Sequence, residues 1–155
     1  MRRSKKKYKR PQILWNKVQI ERDKGLKRKF GLVRKKEIWS AETLLRKYRR
    51  LARKLVGVRN KKEEKILLTK LIESGILEKG AVLDDVLGMS VEDILGRRLQ
   101  TILVKKEMVN TPKQARQFIV HGHVRINNRL SKSPSRLILR KEETHIQLSD
   151  KIKGV

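Results

Sequence analysis

The 155-residue sequence contains no cysteine and is poor in aromatic and acidic residues. The lack of cysteine excludes disulfide bonds and cysteine-ligated zinc, and it suits a reducing intracellular compartment. No apolar run approaches the ~18 residues that span a bilayer, and no apolar segment follows the basic N-terminus. We therefore expect neither a membrane protein nor a secreted one. Because aromatic residues make up 4% and apolar residues 37% of the chain, we expect a small core.

Positive charge is the residue property present in excess. The chain carries 42 Lys and Arg against 16 Asp and Glu, a formal net charge of +26 at pH 7. Such a chain repels itself unless a polyanion neutralises it, and cations placed on nucleic-acid phosphates release condensed counterions. The net charge is +21 over residues 1–62, −5 over 63–95 and +10 over 96–155. Two basic regions flanking a mildly acidic one predict an RNA or DNA surface held from two sides.

The first part of the chain is predicted to be helical. Residues 1–36 are expected to form a basic extension, partly disordered without RNA, because few apolar residues precede Ile38. Residues 37–95 form the predicted helical domain and connector. Its first helix, over 37–56, has one apolar and one basic arc and is expected to end at Gly57.

The last part of the chain predicts a small compact domain over residues 96–150, followed by a short tail, 151–155. Two helices, ending near Lys106 and at Gly122, precede strands around 124–126, 137–139 and 145–148. The predicted fold class is therefore α+β, with a helical N-terminal part followed by two helices packed on a short curved antiparallel β-sheet.

One segment of this domain is especially informative. Thr111, Pro112 and Gln114 predict the start of a helix, as N-cap, first residue and third residue. The outer face of this helix is basic, and from Met108 to Lys141 the sequence has no acidic residue. Ordinary surfaces mix both signs of charge, so a nucleic-acid-binding face is favoured over a merely solvated one.

Other side-chain groups predict no chemistry. His121 and His123 lack further metal ligands nearby, so we expect neither a metal site nor a cofactor. The acidic pairs at 84–85 and 92–93 have no nucleophile or phosphate loop beside them, so we expect no enzymatic activity. Trp15 and Trp39 could stack on bases, although burial of both against neighbouring segments is favoured.

Several motifs resemble the ribosomal protein S-four family. Four segments resemble the RNA-binding domain of this family, namely Glu92–Thr101, Ala115–Gln117, His121–Val124 and Ser133–Ser135. The upstream segment Glu37–Arg50 is similar to the archaeal and eukaryotic branch, and Leu83–Gly88 fits the connector. One departure lies at Glu107–Val109, where the family usually has Gly-Leu-Ala, and it predicts an altered turn.

The resemblance implies a structural constituent of the small ribosomal subunit. Such a protein binds the 5′ domain of small-subunit ribosomal RNA early in the assembly of the subunit. It nucleates that assembly in the cytoplasm. The implied partners are that RNA, neighbouring small-subunit proteins and messenger RNA near its entry channel, with no membrane and no homo-oligomer. The implied fold is a helical part wrapped around an inserted RNA-binding domain of the alpha-L type.

Resemblance and charge together predict the residues that contact RNA. In the RNA-binding domain they are Arg97, Arg98, Lys105, Lys106, Lys113, Gln114, Arg116, Gln117, His121, His123, Arg125, Asn127 and Arg129. On the basic arc of the first long helix they are Arg46, Lys47, Arg49, Arg50, Arg53 and Lys54. In the N-terminal extension they are Arg2, Arg3, Lys5, Lys6, Lys7, Lys9 and Arg10.

Three alternatives remain open from the sequence. The same small domain is fused to RNA-modifying enzymes and tRNA synthetases, but the other ~95 residues are too few and too basic for a catalytic domain. A free-standing RNA chaperone acting on stalled ribosomes, or on another structured RNA, is the stronger rival. A DNA-binding architectural protein is disfavoured, because the mixed Gln, Asn, His and Arg surface suits folded RNA.

Overall fold

The computed structural model describes residues 6–13, 15–58 and 60–149. In chain order the elements are α1 Lys17–Lys29, α2 Lys35–Val58, α3 Lys61–Glu73, α4 Leu83–Gly88, α5 Val91–Gly96, α6 Leu99–Lys105, α7 Pro112–Val120, β1 Val124–Ile126, β2 Arg129–Leu130, α8 Arg140–Glu143 and β3 Ile146–Leu148. The predicted α+β class, with helices first and a small antiparallel sheet last, is confirmed. Within these ranges, no helix combines the length and apolarity that a bilayer crossing requires.

Helices α1 to α5 enclose the first of two hydrophobic cores, whose last member along the chain is Leu95. The predicted basic extension contains α1, which the sequence analysis did not identify. Leu26, Phe30 and Leu32 anchor its C-terminal end in this core and are 5–7% exposed. Only Leu26 of these three lies within α1, while Phe30 and Leu32 follow it, so the helix itself gives a weak amphipathic signal and was missed.

The ends of α2 and α3 follow local capping rules with one exception. The side chain of Asn60 accepts a hydrogen bond from the Lys62 amide at 3.2 Å, and Gly75 follows α3 with φ +70°. Gly57, expected to end the preceding helix, instead lies within the last turn of α2, which continues to Val58. A glycine lowers helix propensity by about 1 kcal/mol, so it ends a helix only where other interactions also end it.

The second core begins at Leu99 and lies between α6, α7 and the sheet. The strand order is β2-β1-β3, with β1 antiparallel to both neighbours. The prediction of a strand at 137–139 is wrong. Leu137 forms only an isolated bridge with Arg98, because this segment pairs with the residues leading into α6 rather than with a strand. Ile138 is nonetheless fully buried, which explains its apolar pattern.

Three non-glycine residues adopt left-handed backbone conformations. Asn127 and Asn128, with φ of 49° and 62°, form the turn between β1 and β2, and asparagine is one of the residues that tolerate this conformation. Glu107 has φ 56° after α6, at the position where the family usually has glycine. The Met108 amide donates to the carbonyl of Leu103 at 3.1 Å. This hydrogen bond is the one that usually accompanies a glycine at the end of a helix, so the helix ending is retained. The expected alteration of the turn is limited to the strained backbone of Glu107.

The N-terminal segment contacts α2. The ring centroids of Tyr8 and Trp39 lie 5.8 Å apart, and the Lys9 amide donates to Thr43 Oγ1 at 3.1 Å. Trp39 therefore packs against a neighbouring segment, as expected. The same expectation for Trp15 is wrong, because its side chain is 86% exposed.

Candidate nucleic-acid interface

Helix α7 separates an apolar inner face from a polar outer face. Thr111 Oγ1 accepts a hydrogen bond from the Gln114 amide at 3.2 Å, which caps the helix as predicted. Ala115 and Ile119 are fully buried in the second core. The outer side presents Lys113 and Gln117, which are exposed and one helical turn apart.

The turn after α7 continues this polar surface onto the sheet. Gly122 has φ +80°, which lets the chain reverse between His121 and His123, whose ring centroids lie 6.4 Å apart. Arg125 points outward from β1, between two buried residues. Lys132 lies beside the turn, since a Cβ on Gly122 would be 3.5 Å from its Cε. Sequence analysis had not singled out Lys132.

The cations of this surface lack acidic neighbours. Within the ranges that the structure describes, no carboxylate forms an ion pair with the four cations Lys113, Arg125, Arg129 and Lys132. Asn127 is exposed at the adjacent turn. We call these five residues, together with Gln117, His121 and His123, the basic face. Its unpaired cations and amide donors suit phosphate and base-edge contacts with RNA.

Two arginines predicted to contact RNA point into the protein instead. Arg97 donates to the Ser74 carbonyl at 2.8 Å and to the Ile138 carbonyl and Glu143 carboxylate at 3.0 Å. Arg98 is 4% exposed and pairs with Glu37. Because their guanidinium groups are occupied by protein acceptors, we exclude both from the candidate interface.

Glu37 joins the two parts of the fold. Its carboxylate pairs with Arg98, accepts from Arg116 at 3.2 and 3.3 Å, and also accepts from the amides of Val33 and Arg34 at 3.3 Å. Burial opposes ionisation of this carboxylate, but the bonds from Arg98 and Arg116 outweigh it and lower the Glu37 pKa below its ordinary value of 4.5. Arg116 is thus partly an internal ion-pair partner, not the freely exposed side chain expected.

Gln100 is a second connection that sequence analysis missed. Its Nε2 lies 3.2, 3.1 and 2.7 Å from the carbonyl oxygens of Phe30, Gly31 and Pro112, and the residue is 1% exposed. The amide thus ties the end of α1 to the start of α7. The signal available in the sequence was a polar residue that shares a helix face with the apolar Leu103 and Val104.

The remaining predicted residues fall into three groups. On α2 the exposed members are Arg46, Lys47, Arg50, Arg53 and Lys54, whereas Arg49 is half-buried and donates to the Met89 carbonyl. Lys105 and Lys106 are exposed after α6, and Lys106 also donates to the Glu143 carbonyl. In the N-terminal segment Lys6, Lys7, Lys9 and Arg10 are exposed, while Arg2, Arg3 and Lys5 lie outside the described residues. Gln114 is half-buried at the start of α7.

Comparison with known proteins gives the family. The model of the S4 domain matches residues 97–143. The small ribosomal subunit protein uS4 of Methanothermobacter thermautotrophicus is 44% identical over 148 residues, covering 94% of this chain and 86% of the relative. The chain belongs to the uS4 family. The uS4 proteins of Nanoarchaeum equitans and Methanococcus aeolicus are 43% and 47% identical, and the alignments cover 95% and 94% of this chain and 84% of each relative.

Family membership confirms the resemblance stated from the motifs, including its archaeal character. The S4 domain match extends from the start of α6 to the end of α8 and includes every member of the basic face. All of the positive charge before residue 62 lies outside that match. Membership of the uS4 family therefore rests on similarity over nearly the whole chain and not on the S4 domain alone.

Proposed function

We propose that this protein is a structural constituent of the small ribosomal subunit and binds small-subunit ribosomal RNA through the basic face. The observation that supports this most is the set of cations on α7, β1 and the following loops that pair with no described carboxylate. RNA phosphates would neutralise them and release counterions, while Gln117, His121 and Asn127 would supply hydrogen bonds to the folded RNA.

The finer proposal follows from the family. We infer binding to the 5′ domain of small-subunit ribosomal RNA early in assembly, by a monomer that has no enzymatic role. The exposed cations of α2 and the N-terminal segment would contact further RNA, including messenger RNA near its entry channel. Neighbouring ribosomal proteins in the cytoplasmic small subunit complete the proposed partners. The domain division at residues 36, 95 and 150, and partial disorder of 1–36 without RNA, remain predictions.

Sedimentation of tagged protein with ribosomal subunits through a high-salt gradient tests this function. We expect the protein to remain on the small subunit, because a protein enclosed by RNA and neighbouring proteins in an assembled particle exchanges slowly. Recovery on free large subunits would instead support the RNA chaperone of stalled ribosomes. Recovery only at the top of the gradient would contradict a structural role in either particle.

A further inference from the structure

A cleft lies between α1 and α7, and three of the cations that line it were not among the contact residues that sequence analysis identified. Its volume is about 500 Å³, and its walls carry five cations: Lys24, Lys27, Arg28, Lys113 and Arg116. Gly31, Leu32 and Val33 form the remainder of the lining. Among the residues that the structure describes, no acidic side chain lines it. Three of the five cations come from α1, which precedes the S4 domain.

The cations of α1 are aligned by helical spacing. Lys24, Lys27 and Arg28 are separated by three and four residues, so they share one face of α1. Asp23 and Leu26 are buried on the neighbouring face, which packs α1 against the first core and fixes its rotation. None of the three cations pairs with a carboxylate of the described residues. Their charges are therefore not neutralised by a carboxylate of the described residues.

The opposite wall is held by the contacts already described. Arg116 is oriented by the Glu37 carboxylate while its side chain remains 25% exposed at the cleft. Gln100 joins the carbonyls at the end of α1 to that of Pro112. Gly31, at φ +58°, lies so close to α7 that an added Cβ would be 2.7 Å from Pro112 Cβ. The two walls are thus fixed relative to each other before any ligand binds.

We propose that this cleft clamps the sugar–phosphate backbone of the RNA strand that crosses the basic face. Cations on both walls and no described carboxylate in the lining fit a chain of phosphates, and the apolar surface that predominates in the lining suits the ribose groups. This inference rests on the proposed RNA-binding function. It adds α1 as a partner of the S4 domain in holding one strand.

The first test compares two double variants that remove the same charges from the same helix. Lys27→Ala/Arg28→Ala removes two of the three cations on the α1 wall, whereas Lys17→Ala/Arg22→Ala removes a Lys and an Arg that do not line the cleft. Binding of the full chain to a transcript of the 5′ domain of small-subunit ribosomal RNA is measured by filter retention. Each lost phosphate contact should weaken binding roughly 5–8-fold in 0.1 M salt and lower the salt slope by ~0.7–0.9.

We expect the cleft variant to lose roughly 20-fold or more in affinity, from two such contacts, and the control to lose far less. Equal losses in both variants would overturn the cleft while leaving RNA binding intact. Failure of the unmodified protein to bind the transcript would refute the proposed function itself, so the two failures are distinguishable.

A second readout uses the unmodified protein. Lysine acylation by a water-soluble ester, read by mass spectrometry, should show that the transcript protects Lys24, Lys27 and Lys113 together and leaves Lys17 reactive. Protection of Lys113 without Lys24 and Lys27 would overturn the proposal. Protection of the α1 lysines only in assembled small subunits, and not by the RNA alone, would assign the cleft to a neighbouring protein and would also overturn it.

Discussion

Replacement of Glu37 by glutamine should destabilise the protein strongly. The substitution keeps the shape of the side chain but removes the charge that Arg98 and Arg116 share. The side chains of Arg98 and Glu37 are only 5% and 16% exposed, so Arg98 would remain as a buried cation without its partner. Removing the charge of one partner of a buried ion pair lowers the folding stability by about 3–5 kcal/mol. Since glutamine still accepts a hydrogen bond, we expect about 3 kcal/mol, or roughly 6–12 °C in Tm.

The matched control is Glu92→Gln. Glu92 pairs with Lys29 on the surface, where the two side chains are 47% and 61% exposed, so we expect a loss of about 0–1 kcal/mol. Both variants raise the net charge by the same amount, which cancels the general effect of self-repulsion. Thermal melts followed by circular dichroism measure the difference. If the two variants melt at the same temperature, the buried ion pair is not what joins the two parts of the fold.

The same variant has a defined pH dependence. The Glu37 pKa is lowered in the folded protein, so its stabilising contribution is complete above its unfolded value of 4.5. The contribution is lost as the pH falls through the lower folded value. The stability gap between the unmodified protein and Glu37→Gln should therefore be constant near neutral pH and shrink in acid. A gap that widens in acid would contradict this sign.

Three further substitutions and one control test the fold. Glu107→Gly should stabilise by about 1 kcal/mol, measured by urea denaturation, because glycine relieves the left-handed strain at φ 56°. Gly75→Ala should destabilise by more than about 1 kcal/mol in the same assay, because its Cβ would lie 2.6 Å from Arg97 Cζ at φ +70°. Ile119→Ala should cost about 2–5 kcal/mol by emptying a fully buried site, whereas Gln117→Ala on the outer side of α7 should be nearly neutral in thermal melts.

Local signals made α7 and its following turn predictable. The Thr-Pro cap, the buried positions of Ala115 and Ile119, and the left-handed turn at Asn127–Asn128 each depend on residues within a few positions of one another. Capping chemistry and helical periodicity act over that range, so the sequence alone contains the information.

The partners of the arginines were not predictable in the same way. Arg98 and Arg116 meet Glu37 across 61 and 79 residues of chain, and no local pattern distinguishes them from the exposed Lys113 and Arg125. The wrong strand at 137–139 has a similar origin. The apolar pattern indicates that Ile138 is buried. It does not indicate that the neighbouring backbone pairs with Arg97 and Arg98 rather than with a strand.

The sequence predicted the total positive charge of the protein but not where on the folded surface the cations lie. The composition indicated a polyanionic partner, yet three of the five cations that line the cleft between α1 and α7 come from a segment expected to be only an extension. Their alignment depends on Leu26 and Phe30 packing α1 into the first core. The RNA contacts assigned here to individual residues remain predictions.

The most direct test of the account is equilibrium binding to two transcripts of equal length, measured over a range of salt concentrations. One transcript contains the 5′ domain of small-subunit ribosomal RNA, and the other contains a different domain of that RNA. We predict at least tenfold tighter binding to the 5′ domain and a steep salt slope, with on the order of ten phosphates contributing ~0.7–0.9 each. Equal affinity for both transcripts, or an affinity that hardly changes with salt, would contradict electrostatic capture of a specific folded RNA.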